Sequence, residues 1–116
     1  GIQDSVTTFS ASDFGRTLTS NGRGSDHAWG GNHFILGGSV EGQQIFGSYP
    51  SLALNSTTGL NPLDTNRGRL IPTTSCDEYF AELALWLGAP EGSLPLVLPN
   101  IRNFHLGGGT PLGFMT

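Results

Sequence analysis

The stretch SCDEYFAELALWLG, residues 75–88, is the most strongly patterned in the chain, and the reading of the fold class turns on it. Ser75 followed three residues later by Glu78 is a capping box, in which each side chain accepts the other residue's otherwise orphaned backbone N–H. Cys76, Phe80, Leu83, Ala84 and Leu87 then fall on one stripe at helical spacing. Gly88 permits the left-handed stop, and Pro90 prevents continuation. The pattern predicts a helix over 75–87 with one apolar side packed against a sheet.

Upstream, the sequence offers short strands. Val6 to Ala11, VTTFSA, is rich in β-branched and aromatic residues and reads as a strand. Its signal ends at SDFGRT, where Gly15 suggests a turn. Residues 17–32 have the glycine and asparagine content of a loop. HFILGG, residues 33–38, is a second short apolar strand, and Gln44–Phe46 is a weaker third. Residues 55–69, NSTTGLNPLDTNRGR, are nearly all turn formers and read as an exposed loop. Past the helix, EGSLPLVLPNIRNF is too proline-rich for more than a short helical turn. The tail from His105 to Thr116 has no periodicity. Strands followed by one good helix point to part of an α/β layer. So few elements cannot cover both faces of a sheet, so the expected partner is a further segment of the same polypeptide.

Composition narrows the function. The 116 residues include 18 glycines and 7 prolines, which favours turns and loops over long regular elements. All basic residues are arginine (Arg16, Arg23, Arg67, Arg69 and Arg102), and the net charge of −4 argues against nucleic acid as a partner. Cys76 is the single cysteine, which rules out an internal disulfide. No apolar run approaches the roughly 20 residues of a membrane span. The chain opens GIQDSV without a methionine and reads as a mature product or a fragment.

Candidate chemistry gathers between residues 13 and 33. Asp13 lies past the first expected strand, where loops of α/β sheets converge on ligands; it can ligate a hard cation or merely order the turn. Arg16 can bind an anionic group through its planar donor fork, or pair with Asp13. Asp26 and His27 are adjacent, and His33 follows in a glycine-rich setting that sets no bar to joint metal ligation. Each is also an ordinary loop residue. Trp29 reads as a lid, a sugar-stacking platform or a core plug, and His105 as structural. GGN and GGGT match neither a P-loop nor a dinucleotide fingerprint, and no Ser or Cys sits in a nucleophile elbow.

The blocks VTTFSASDFGRT, GSDHAWGGNHFILGGSVEG, GRGRLIPTTSCDEYFAELALWLG and LPLVLPNIRNF together resemble the C-terminal part of a bacterial family catalogued as domain of unknown function family 1501. The similarity runs in order from about residue 5 to residue 104. That family looks like a branch of the alkaline phosphatase and sulfatase superfamily. The resemblance therefore implies an alkaline-phosphatase-like three-layer α/β fold, with residues 1–104 as its C-terminal segment and 105–116 as an irregular tail. It implies a periplasmic or extracellular protein, and a metal-dependent hydrolase acting on phosphate or sulfate esters.

In metal-dependent relatives a strand ends in an Asp-His pair, and a later histidine precedes an apolar strand and a helix. One register places Asp13 at the strand-end Asp and His27 at the later histidine, with Phe14 where relatives have histidine. The other takes Asp26-His27 as the pair and His33 as the later histidine; it ranks second because SNGRG, not a strand, precedes Asp26. The resemblance thus implies Asp13, Asp26, His27 and His33 as candidate ligands of a divalent metal (zinc, manganese or calcium), and Arg16 as the ester-binding residue. The nucleophile is expected elsewhere in the polypeptide, so this segment alone is not catalytic. The competing expectation is a secreted non-catalytic protein of the same fold that binds a glycan or surface partner.

Overall fold

In the computed structural model, which describes residues 1–55 and 59–116, the capped helix forms as the sequence predicts. Helix α1 spans Cys76–Trp86. Ser75 Oγ accepts the Glu78 N–H at 3.1 Å, and Glu78 Oε2 accepts the Ser75 N–H at 2.9 Å. The buried face differs from the predicted stripe. Ala81, Glu82 and Leu83 are buried in succession, whereas Cys76 is exposed and Leu87 is 77% exposed.

The cause is packing on two sides. Ala81 meets Leu94 and Ile101, while Leu83 meets Phe114 and Met115, with Ile35, Val40 and Phe46 around the second cluster. Leu94 begins a short helix α2, Leu94–Val97, between single turns of 3-10 helix at Glu91–Ser93 and Ile101–Asn103. This matches the short helical turn expected of the proline-rich segment. The tail, although irregular, lies beside residues 39–41: Val40 bridges Met115, and Glu41 N–H donates to Phe114 O at 3.0 Å. Glu82 fastens it. Its carboxylate is fully buried and accepts the N–H groups of Leu112, Gly113 and Met115 at 2.7 to 2.8 Å. A buried charge is tolerated when backbone donors replace its lost water.

The chain folds as two compact units: residues 1–8, 35–48 and 74–116 form one, and 9–34 with 49–73 the other. Strands β1 (Thr7–Phe9) and β4 (Ile35–Gly37) pair as a two-stranded sheet, both shorter than the apolar runs containing them. Gln44–Phe46 forms no strand; Phe46 instead sets its ring edge-on to Phe114 at 5.9 Å between centroids.

In the second unit, the stretch 17–32 read as a loop is largely a hairpin. Strands β2 (Gly15–Ser20) and β3 (Ser25–Ala28) run antiparallel, pairing Gly15 with Ala28, Arg16 with His27 and Ser20 with Ser25. Gly22 and Gly24, both at positive φ, serve only the connecting turn. The flanking residues Thr17, Leu18 and Thr19 alternate in burial as a strand should. Gly15 opens a strand rather than a turn, and its Cα lies so close to Gly30 O that a Cβ would overlap it. Together the elements make a small α/β chain of short strands and few helices.

Candidate functional site

The loop expected to be exposed at 55–69 contains a buried polar knot that positions one side of the candidate site; its Ser56, Thr57 and Thr58 lie outside the described residues. Asn61 is 2% and Asp64 5% exposed. Asn61 Nδ2 donates to the carbonyls of Ser51 and Ala53, and Asn55 Nδ2 to those of Asn61 and Asp64. Asp64 accepts N–H groups from Asn55, Asn66 and Gly68 at 2.8 to 2.9 Å. These bonds, led by that from Asn55, hold its carboxyl below the usual carboxylate range against the opposing effect of burial.

The knot enforces an unfavourable turn. Asn66 and Arg67 both have positive φ, 111° and 63°, a conformation that persists only where surrounding bonds over-determine it. The turn brings the carbonyl of Gly68 to the Leu18 N–H and that of Arg67 to the Thr19 N–H, each at 3.2 Å, so it lies along β2. Gly68, at φ 72°, also packs so closely on Leu18 that any side chain there would clash. The Arg67 guanidinium consequently reaches Asp26 Oδ2 on β3 at 2.6 Å.

That contact decides what Asp26 can do. Asn21 Nδ2 donates to its other oxygen at 2.7 Å. The Asn21 bond, followed by the Arg67 charge, lowers the Asp26 pKa, with partial burial opposing. Both oxygens are engaged. His33 is engaged as well: its Nδ1 lies 3.1 Å from Ser10 Oγ, which also accepts the Phe34 N–H.

Asp13 and His27 differ. Asp13 is exposed in the bend before β2, and neither its carboxylate nor the His27 ring nitrogens have a hydrogen-bond or ion-pair partner among the described residues. His27 is the cross-strand partner of Arg16, and Asp13 lies two residues before Gly15, the partner of Ala28. The His27 ring stacks on Phe14, centroids 3.6 Å apart and 15° from parallel. The Arg16 guanidinium lies 4.9 Å from the centroid of the same Phe14 ring. One Arg16 N–H group donates to Ser25 O at 2.8 Å, leaving the rest of the fork available. Asp13 and Arg16 form no ion pair. Trp29 is 60% exposed and is therefore no core plug.

A zinc-type ion takes about four ligands. Among the described residues, no three His, Cys, Asp or Glu side chains stand close enough together to hold one. The register built on Asp13 and His27 keeps two uncommitted donors. The register built on Asp26, His27 and His33 has two of its three side chains already bonded. Residues 21–24 form the hairpin turn and only Ser25 of β3 precedes Asp26, so no strand leads into the pair; the bonding of Asp26 and His33 sets this register back further. Nothing in the local sequence announced Arg67 as the partner of Asp26, 41 residues away.

The fold and this hairpin define a small α/β chain presenting a cation and an imidazole side by side on an exposed ribbon. The pattern of the family described as Protein of unknown function (DUF1501) matches residues 1–87, and the chain belongs to that family. No curated protein and no solved structure matches it. Among the described residues, no helix is long and apolar enough to cross a membrane.

Proposed function

We propose that this chain is the C-terminal part of a secreted, alkaline-phosphatase-like hydrolase of phosphate or sulfate esters, and that hairpin β2–β3 carries its contribution to the ester site. The observation that supports this reading most is the Arg16–His27 register. It sets a permanently charged planar fork beside an imidazole whose nitrogens the described residues leave uncommitted, a pairing suited to a tetrahedral oxyanion. Arg16 binds the ester anion, and Asp13 and His27 are donors awaiting completion. The described residues do not by themselves compose a metal site. The remaining ligands and the nucleophile belong to other parts of the polypeptide. Exposed apolar side chains such as Leu60 and Leu87, 84% and 77% accessible, are surface that such a segment would cover.

A second reading keeps the same secreted fold without catalysis, as a binder of a glycan or surface partner. The Phe14–His27 stack favours it, because a phenyl ring stands where a ligating histidine is expected, and exposed Trp29 offers a face for sugar stacking.

The deciding experiment uses the polypeptide carrying the whole domain. Hydrolysis of aryl phosphate or aryl sulfate that falls by about 100-fold or more in Arg16→Met, together with bound metal reduced by His27→Ala, supports the hydrolase. Absence of turnover and of metal, with retained binding of a polysaccharide, establishes the second reading instead. Enzyme-like turnover by residues 1–116 alone would overturn the assignment of the nucleophile to another segment.

A further inference from the structure

A cavity of about 230 Å³ opens between the segment 91–95 and the turn 101–107, built from residues the hairpin does not use. Its apolar wall is formed by Leu94, Pro95, Ile101 and Leu106. Its polar groups are Glu91, Arg102 and His105. His105 serves the wall, since its Nε2 bonds Gly109 O at 3.1 Å. Glu91 Oε1 accepts the Gly108 N–H at 2.7 Å, which holds the glycine turn against the cavity mouth. Gly107, at φ 100°, lies so close to Glu91 Oε1 that a Cβ there would overlap it.

Glu91 Oε2 and the Arg102 guanidinium have no hydrogen-bond or ion-pair partner among the described residues. The two opposite charges line one cavity without pairing to each other. A lone anion would meet Arg102 but be repelled by Glu91, and a lone cation would suffer the reverse. A molecule carrying both charges satisfies both groups. The cavity exceeds the roughly 150 Å³ that encloses a benzene-sized guest, so an apolar body of several carbons fits beside the charged ends.

We propose that this cavity binds a free apolar α-amino acid. Arg102 takes the carboxylate through its fork, the uncommitted Glu91 oxygen takes the ammonium, and the aliphatic side chain lies on Leu94, Pro95 and Leu106. Glu91 and Arg102 are both exposed at the cavity rim, where the bidentate Arg–carboxylate geometry supplies orientation as well as attraction.

The test is a titration of the full chain with L-leucine, followed by ¹H–¹⁵N NMR. Saturable shifts at the Gly107 to Gly109 amides, with a dissociation constant on the order of a millimolar, are expected. Arg102→Met and Glu91→Gln should each weaken binding about tenfold; the glutamine can still accept the Gly108 N–H through its carbonyl oxygen. On the unaltered chain, 4-methylpentanoate and isopentylamine, each lacking one charge, should likewise bind about tenfold more weakly than leucine. This arm needs no variant to fold. The proposal is overturned if leucine gives no saturable shift, or if 4-methylpentanoate binds as tightly as leucine. Unchanged affinity in both variants would also overturn it.

Discussion

Glu82 and Met115, at opposite ends of the last third of the chain, are joined by a hydrogen bond of 2.8 Å from the Met115 N–H to Glu82 Oε1. With Leu112 and Gly113 on the other oxygen, a fully buried carboxylate is surrounded by donors. Glutamine at this position must turn an N–H group toward one of them. Glu82→Gln is therefore expected to cost about 3 kcal/mol in urea denaturation, and Glu82→Ala at least as much. Glu41→Gln, on the exposed surface, should change stability by less than about 0.5 kcal/mol. If Glu82→Gln behaves like Glu41→Gln, the tail is not anchored through this carboxylate.

Asp64 makes acid stability a test of the polar knot. Its folded-state pKa lies below its unfolded value, because the folded chain donates to the carboxylate from Asn55, Asn66 and Gly68. The folded state thus binds the proton less readily than the unfolded state. The resulting stabilisation is fully present above the unfolded pKa and is lost as pH falls through the folded pKa. Asp64→Asn should lower the urea midpoint at neutral pH. It should also flatten the loss of stability between about pH 5 and pH 2 relative to the unaltered chain. A parallel pair of acid limbs would show that Asp64 is not held by these bonds.

What the sequence made legible follows from the range of the interactions involved. Helix α1 was readable because Ser75 and Glu78 cap it within three residues and Gly88 ends it. The apolar strand at Ile35–Gly37 was likewise local. The hairpin was not, because Gly22 and Gly24 lend the whole of 17–32 the composition of a loop, although only the turn needs them. The knot was missed for a related reason. Asn55, Asn61 and Asp64 are turn formers by composition, and their burial depends on carbonyls at Ser51 and Ala53 that no local pattern exposes. At the candidate site the residue types Asp13, Arg16, Asp26, His27 and His33 were visible in sequence. Which of them the fold consumes, through Arg67 for Asp26 and Ser10 for His33, required the structure.

Gly15 sets the register that pairs Arg16 with His27. A Cβ at Gly15 would lie 1.8 Å from Gly30 O, a backbone atom that cannot swing aside as a side chain can. Gly15→Ala should destabilise the chain by about 2–4 kcal/mol, or force the hairpin apart. Gly92→Ala is the matched control, since a Cβ there meets nothing within 4 Å. Its expected effect is within about 0.5 kcal/mol. Amide exchange would locate the damage: faster exchange across β2 and β3 is expected in Gly15→Ala, and unchanged rates would place the register's origin elsewhere.

The Asp26–Arg67 contact predicts how Asp26 itself titrates. Asn21 contributes most to lowering the Asp26 pKa, and the Arg67 charge and hydrogen bond add to it. Removing either donor should raise that pKa toward the ordinary carboxylate value, in Asn21→Ala and in Arg67→Met alike. Because the folded pKa is the lower one, the stability Asp26 contributes is present above its unfolded pKa and lost as pH falls through the folded pKa. Both variants should shrink that contribution. Carboxyl ¹³C NMR of Asp26 reads the pKa directly. If Arg67→Met leaves the Asp26 titration unmoved, the ion pair does not hold in solution. Asp26 Oδ2 would then be left without Arg67, while Oδ1 stays with Asn21.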